Sequence, residues 1–187
     1  MRKSYVIFLF IYVMLITFNV SPLIAVEEPI NLALKKPVTG SGGVGQGAYE
    51  MLTDGNTATD PYIGGPTWVQ VDLDGSFMID TVKIWHYYGD GRTYHDNKIA
   101  LSMKDSFQGE ETVVFDSVID GEYPETAAGK TITFKQIKAK YIRAWLGGNT
   151  VNAWSHWVEL QAFLVGKLSV ESKGKLPTIW GKIKSSY

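Results

Sequence analysis

The segment from Trp85 to Asp96, called the aromatic segment below, concentrates the side chains that could do chemistry in this 187-residue chain. It reads Trp-His-Tyr-Tyr-Gly-Asp-Gly-Arg-Thr-Tyr-His-Asp and holds two of the three histidines. Aromatic faces pack against the C–H face of a pyranose, while imidazole, guanidinium and carboxylate groups form directional hydrogen bonds with hydroxyls. The segment therefore indicates a sugar-binding surface or a small active site. Its candidate ligand-contacting residues are His86, Tyr88, Asp90, Arg92, Tyr94 and His95.

Residues 147–156 are predicted to form another part of the same binding surface. Trp154 and His156 flank a serine and follow the Gly-Gly-Asn tripeptide at 147–149. They add an aromatic face and a hydrogen-bonding ring from a different loop. An alternative stays open, in which Trp85, Tyr87 and one histidine pack between strands and Arg92 pairs with Asp90 or Asp96.

Motifs of common enzymes are absent from the sequence. The chain has no cysteine, no Gly-x-Ser-x-Gly and no His-Glu-x-x-His. Pro124 stands where a phosphate-binding loop ending at Gly129-Lys130-Thr131 would need its first glycine. We therefore expect no enzymatic activity, and a small glycan-active enzyme built on the aromatic segment is a less favoured alternative.

The charge distribution limits the partners. Residues 27–165 contain 11 Lys/Arg and 18 Asp/Glu, a net charge of −7, although the whole chain carries only −1. An acidic body argues against nucleic acid and against general binding to anionic membranes, so membrane lipid is not an expected partner. It is compatible with neutral ligands and with calcium.

The two ends of the chain differ from its body. Met1-Arg2-Lys3, an apolar run from Tyr5 to Phe18 and a small residue at Ala25 predict a signal peptide over residues 1–25, and hence a secreted or cell-surface protein. An uncleaved membrane anchor is the alternative. Residues 27–165 are predicted to form one domain, and residues 166–187 a basic tail.

Short alternating runs predict the fold. Trp68–Leu73, Met78–Trp85 and Tyr141–Leu146 alternate apolar and polar residues as half-buried strands do. Helical periodicity is absent, apart from one turn at Ala48–Leu52. About eight short strands separated by Gly, Pro, Asp and Asn indicate an all-β antiparallel sandwich or jelly roll.

The Asp54-Gly55-Asn56 turn, followed by Thr59, is a candidate cation loop. Oxygen donors that alternate around a glycine turn suit a hard cation. The same residues readily form a plain Asx turn, in which the aspartate caps its own backbone. The residues alone leave both interpretations open.

Four motifs in order resemble discoidin-like domains, also called coagulation factor 5/8 type C domains. They are Asn31–Val38, the Thr-Asp-Gly-Asn loop at 53–56, Trp68–Leu73 and Trp157–Ala162. The nearest branches are family 32-type carbohydrate-binding modules and F-type lectins. The resemblance covers residues 31 to about 165 and implies a galactose-binding-like β-sandwich.

The resemblance also implies function and a metal. It implies a non-catalytic, lectin-like module for a glycan or a cell-surface or matrix polysaccharide, with oligomers allowed; a protein-adhesion module of the same fold is the alternative. The Arg-x-Asp pattern of F-type lectins is missing, so fucose specificity is not expected. The implied structural calcium site takes side chains from Asp54, Thr59 and Glu159, and carbonyl oxygens near Tyr49, Asn56 and Ala162.

Overall fold

The computed structural model describes residues 29–58, 62–64 and 67–165. The predicted signal peptide, the basic tail and Thr59 lie outside the described residues. The described residues include two short helical turns, a 3-10 helix at Tyr49–Thr53 and the α-helix α1 at Ser117–Asp120. The strands are β1 Val38–Gly40, β2 Val44–Gln46, β3 Tyr62–Ile63, β4 Thr67–His86, β5 Tyr94–His95, β6 Lys98–Ser102, β7 Thr112–Asp116, β8 Lys130–Leu146, β9 Gly148–Asn149 and β10 Trp157–Phe163.

One antiparallel sheet dominates the fold. Its strand order is β1-β4-β8-β6-β7. Strand β10 pairs with Thr81–His86 of β4, on the same edge of β4 as β1. The predicted all-β antiparallel sandwich is confirmed. Two strands are much longer than expected, since β4 has 20 residues and β8 has 17. β4 joins Trp68–Leu73 and Met78–Trp85, which the sequence analysis treats as separate strands.

A bend in β4 and β8 turns this sheet into two layers. Their register breaks between Asp72 and Phe77, around Gly75. A straight strand from Thr67 to His86 would span about 60 Å. Yet Trp157, which pairs with His86, places its indole Nε1 only 3.4 Å from Thr67 Oγ1. The chain therefore folds back, and the starts of β4 and β10 lie at the same end of the sandwich.

The core lies between the two layers. In the first layer Val69, Val71 and Leu73 are buried, whereas Trp68 and Asp72 lie on the outer face. This is the period-two alternation of a half-buried strand. Burying each such aliphatic side chain stabilises the fold by about 1.5–3 kcal/mol. The second layer contributes Ile79, Val82, Ile84, Leu160 and Ala162.

The helical turns are minor elements. The 3-10 helix at Tyr49–Thr53 corresponds to the turn predicted at Ala48–Leu52. Sequence analysis missed α1, which Asp116 caps by accepting a hydrogen bond from the Val118 N–H at 3.0 Å. In the part of the chain that the structure describes, no helix is long and apolar enough to cross a membrane.

Candidate functional site

Two loops meet at the end of the sandwich where β4 finishes and β10 begins. The aromatic segment and residues 147–156 are joined by the β5–β9 pair, in which Tyr94 lies opposite Asn149. The Thr150 N–H donates to the Thr93 carbonyl at 3.0 Å, and the Thr93 N–H donates to Thr150 Oγ1 at 3.1 Å. The structure thus brings both sequence-predicted segments onto one surface, called the loop end below.

Several candidate residues are open to solvent at the loop end. Tyr88 is 36% exposed and Trp154 is 42% exposed. His95 is also open, and its Nδ1 lies 2.6 Å from Glu122 Oε1. Trp154 packs against the backbone of Gly64, where an added Cβ would lie 2.7 Å from the indole Cζ3. A glycine at position 64 is therefore needed to seat this tryptophan.

Two other aromatic-segment candidates, His86 and Tyr94, are buried. His86 is completely buried, with its ring centroid 4.8 Å from that of Tyr94 and 5.0 Å from that of Trp157. Tyr94 is also buried, and its hydroxyl donates to the Tyr87 carbonyl at 3.3 Å. This burial favours a positioning role for His86 and Tyr94 over the direct ligand contact predicted from the sequence.

Arg92 and Asp90 form a bidentate ion pair. Arg92 Nε and Nη2 donate to the two carboxylate oxygens at 2.8 and 2.6 Å. The hydrogen bond from Arg92 lowers the pKa of Asp90 and raises that of the arginine. The guanidinium also lies over the Tyr87 ring, 4.9 Å from its centroid. This is the pairing of the structural alternative, and it leaves the partly exposed Asp90 as the polar group facing solvent.

His156 lies against the aromatic segment from the second loop. It is mostly buried, its ring centroid is 6.0 Å from that of Tyr87, and its carbonyl accepts from the Tyr87 N–H at 3.1 Å. Its Nε2 lies 3.3 Å from Asn152 Oδ1. We therefore assign His156 mainly to holding the two loops together.

Sequence reasoning missed the residues that support this surface. Glu125 reaches His86 Nδ1 at 2.6 Å, although 39 positions separate them. Asn149 donates to the Trp154 carbonyl at 2.6 Å and accepts from the Asn152 N–H at 3.0 Å. The Gly-Gly-Asn motif was a usable signal for Asn149. Glu125 carried no signal, because only the tertiary fold brings it under the loop.

The candidate cation loop forms the plain Asx turn, and the buried carboxylate of Glu159 from β10 lies against it. Asp54 Oδ1 accepts from the Asn56 N–H at 2.7 Å, as in the simple-turn alternative. Glu159 from β10 accepts from the Gly55 N–H at 3.3 Å and from the Gln161 amide at 3.3 Å. Burial, with a smaller contribution from Asp54, raises the pKa of Glu159 to about 7.

The oxygen chemistry around Glu159 fits a hard cation. Glu159 is buried, and no Lys or Arg among the described residues forms an ion pair with it. A buried carboxylate is costly unless a positive charge compensates it. The described residues contain no group of three or more His, Cys, Asp or Glu that could hold a metal, so carbonyl and amide oxygens would have to complete the shell. Of the proposed carbonyls, that of Ala162 accepts from the Leu32 N–H at 2.8 Å.

Solved structures share this architecture. Neither a protein-family model nor a curated protein matches the chain. The family 32 carbohydrate-binding module of AlyQ, solved in complex with 4,5-unsaturated mannuronic acid, superposes with a TM-score of 0.56 at 25% identity over 68% of this chain and 93% of that module. The chain has the discoidin-like fold of family 32 carbohydrate-binding modules.

Two further modules resemble this discoidin-like domain. Chitosan-binding module 1 from a chitosanase/glucanase of Paenibacillus sp. IK-5 has a TM-score of 0.59 at 21% identity over 72% of this chain and 99% of the module. A Clostridium perfringens family 32 module, solved with GalNAc-β-1,3-galactose, has a TM-score of 0.57 at 16% identity over 73% and 100%. The discoidin-like domain therefore corresponds to nearly complete modules in these proteins.

Proposed function

We propose that the discoidin-like domain is an exported, non-catalytic carbohydrate-binding module that binds a glycan at the loop end. The observation that carries the proposal is the pair of exposed aromatic residues there, Tyr88 and Trp154, beside the polar groups of Asp90 and His95. The similar modules of AlyQ and of Clostridium perfringens, solved with saccharide ligands, support it. A protein-adhesion role on the same surface is the alternative.

The loop end suits recognition of a sugar. An exposed aromatic ring offers an apolar face for the C–H face of a pyranose, and Asp90 can accept hydrogen bonds from hydroxyls. The β5–β9 pair and Asn149 hold the loops in place, so little conformational entropy is lost on binding. Two exposed rings and a few polar groups should bind one sugar weakly, and retention on a glycan would come from multivalency.

Asp90 and His86 are poorly placed for acid–base catalysis. The carboxylate of Asp90 is held by Arg92, and His86 is buried against Glu125. A general acid or base must reach a proton on the substrate. We therefore propose binding without turnover, which incubation with labelled oligosaccharides checks, since any cleaved product would contradict it.

We also propose that calcium stabilises the domain. The side chains of Asp54 and Glu159 would hold the ion together with carbonyl oxygens near Tyr49, Asn56 and Ala162. The ion would supply the positive charge that buried Glu159 lacks, and would tie the loop after the 3-10 helix to β10. This link would matter in a chain without cysteine, because no disulfide can join these regions.

Replacing Trp154 or Tyr88 by Ala is expected to weaken glycan binding at least about tenfold, because each replacement removes an exposed aromatic face. A glycan array with the full chain would first identify a retained sugar, and calorimetry would then give the affinity of each variant. Phe77→Ala is the matched control, since Phe77 is as exposed as Tyr88, at 36%, but lies at the bend of β4.

Unchanged affinity in both loop variants, or an equal loss in Phe77→Ala, would contradict a site at the loop end. A folded protein that retains no glycan from the array would contradict the proposed function itself and would favour the protein-adhesion alternative.

A further inference from the structure

A cavity lies on the outer face of the first layer, beside the loop end, with which it shares Asp96 and Gly147. Its volume is about 350 Å³, within the range of small-molecule sites. Its walls include two tryptophans and three charged side chains. The residues that matter for its chemistry are Ser41, Trp68, Asp96, Lys98, Asp116 and Trp145.

Strand register explains why these side chains meet. Trp68 of β4 lies opposite Trp145 of β8, Trp145 lies opposite Lys98 of β6, and Lys98 lies opposite Asp116 of β7. Directly opposite residues of antiparallel strands point to the same face of the sheet. One row across four strands therefore builds the floor of the cavity.

Neighbouring residues hold the aromatic floor in place. The Arg143 guanidinium lies 4.2 Å from the ring centroids of both Trp68 and Phe107. Arg143 also donates to Gln70 Oε1 at 2.8 and 2.6 Å, which fixes its plane. The Phe107 ring packs edge-on against Trp145 at 5.9 Å. A preformed aromatic surface binds a ligand with little ordering cost.

The charged groups of the cavity form no ion pairs with one another. Lys98 Nζ lies over the Trp145 ring, 4.7 Å from its centroid, and forms no ion pair with a carboxylate of the described residues. Asp96 is exposed and makes no ion pair there either. Asp116 uses Oδ1 to cap Val118. Two carboxylates and one ammonium thus offer hydrogen-bond acceptors and a donor, with a net negative charge.

We infer that this cavity is a second saccharide site, which takes an uncharged pyranose unit. The tryptophans provide the apolar surface for the sugar ring, Asp96 and Asp116 accept hydrogen bonds from its hydroxyls, and Lys98 donates to a ring or hydroxyl oxygen. A uronate would meet two carboxylates and only one ammonium, so acidic sugars are disfavoured. With the loop end, the domain would contact a polysaccharide at two places, which raises its overall avidity.

The test uses nitrogen-labelled full chain and proton–nitrogen correlation spectra, in which each tryptophan indole N–H gives its own signal. The probes are the methyl glycosides of glucose, galactose, mannose and N-acetylglucosamine, with methyl glucuronide and methyl galacturonide as acidic counterparts. We expect at least one uncharged glycoside to shift the Trp68 and Trp145 signals, also in Trp154→Ala, and the acidic counterparts to shift them less.

Variants separate the cavity from other surfaces. Trp145→Ala should weaken this binding at least about tenfold, and the milder Lys98→Gln about threefold to tenfold, the value of one or two hydrogen bonds. Lys83→Gln is the matched control, because Lys83 lies in the same way over Trp85, at 4.5 Å, on the other layer. It should leave the titration unchanged.

Each possible result either supports or contradicts the second saccharide site. Shifts confined to Trp154, or none with any uncharged glycoside, would overturn the second site, and the first of these would leave the proposed function intact. Equal binding of a uronide, or equal losses in Lys98→Gln and Lys83→Gln, would overturn the assigned chemistry. Binding that survives in Trp154→Ala and is lost in Trp145→Ala would support the site even if the loop end bound nothing.

Discussion

Replacing Glu159 by Gln is expected to stabilise the calcium-free discoidin-like domain at about pH 8 while abolishing its stabilisation by calcium. At that pH the parent carries a buried carboxylate that lacks a cationic side-chain partner. An amide of the same shape removes that charge, and relief of about 1–3 kcal/mol is the expected order. The same replacement removes a charged calcium ligand, so the effect of the ion should disappear.

The pH dependence follows from the raised pKa of Glu159. The pKa is about 7 in the folded domain, against about 4.3 for a glutamate in an unfolded chain. Between these values the unfolded chain has released the proton and the folded domain has kept it, so the free energy of unfolding falls as pH rises. Above about pH 7 this loss is complete. Calcium binds the ionised form, so it should oppose the loss most strongly there.

Thermal unfolding with calcium and with a chelator, at about pH 5 and about pH 8, measures both effects. Glu50→Gln provides the control, because it makes the same chemical change at an exposed position on the 3-10 helix. If calcium raised the melting temperature of Glu159→Gln as much as that of the parent, Glu159 would not be a ligand. If chelator had no effect on the parent, the proposed calcium site would be wrong.

Replacing Glu125 by Ala is expected to destabilise the domain by about 3 kcal/mol, a fall in melting temperature of roughly 6–12 °C. Glu125 is the hydrogen-bond partner of His86 Nδ1, at 2.6 Å, and both side chains are almost completely buried. Its loss leaves a buried polar ring atom without that partner, and water cannot easily replace it. Because His86 packs on Tyr94, the loop end should loosen and lose glycan affinity as well.

The chain offers a closely matched control for this prediction. Glu122 pairs with His95 Nδ1 at the same distance, 2.6 Å, but its side chain is 43% exposed. Glu122→Ala should change stability by less than about 1 kcal/mol, because solvent screens and replaces an exposed pair. Chemical denaturation of the two variants compares them directly. Equal losses would show that burial is not what makes the Glu125–His86 pair important.

Local patterns predicted the elements of the fold well. The alternation in Trp68–Leu73 correctly identified a half-buried strand, since burial of one face forces period two on the sequence. The Asp54-Gly55-Asn56 turn also formed as its chemistry indicates. The continuity of β4 through Gly75 escaped prediction, because a glycine in a strand can equally mark a turn or a bend.

The sequence by itself determined which side chains could make a sugar-binding surface, and even that Arg92 could pair with nearby Asp90. Only the tertiary structure decided which of them reach solvent: Tyr88 and Trp154 do, whereas His86 does not. Two sets of contacts join residues that are far apart in the chain. They are the hydrogen bond between Glu125 and His86, and the row of side chains from Trp68 to Asp116. Such contacts depend on strand register and on the bend in β4, and so on the packing of the whole core rather than on any local pattern.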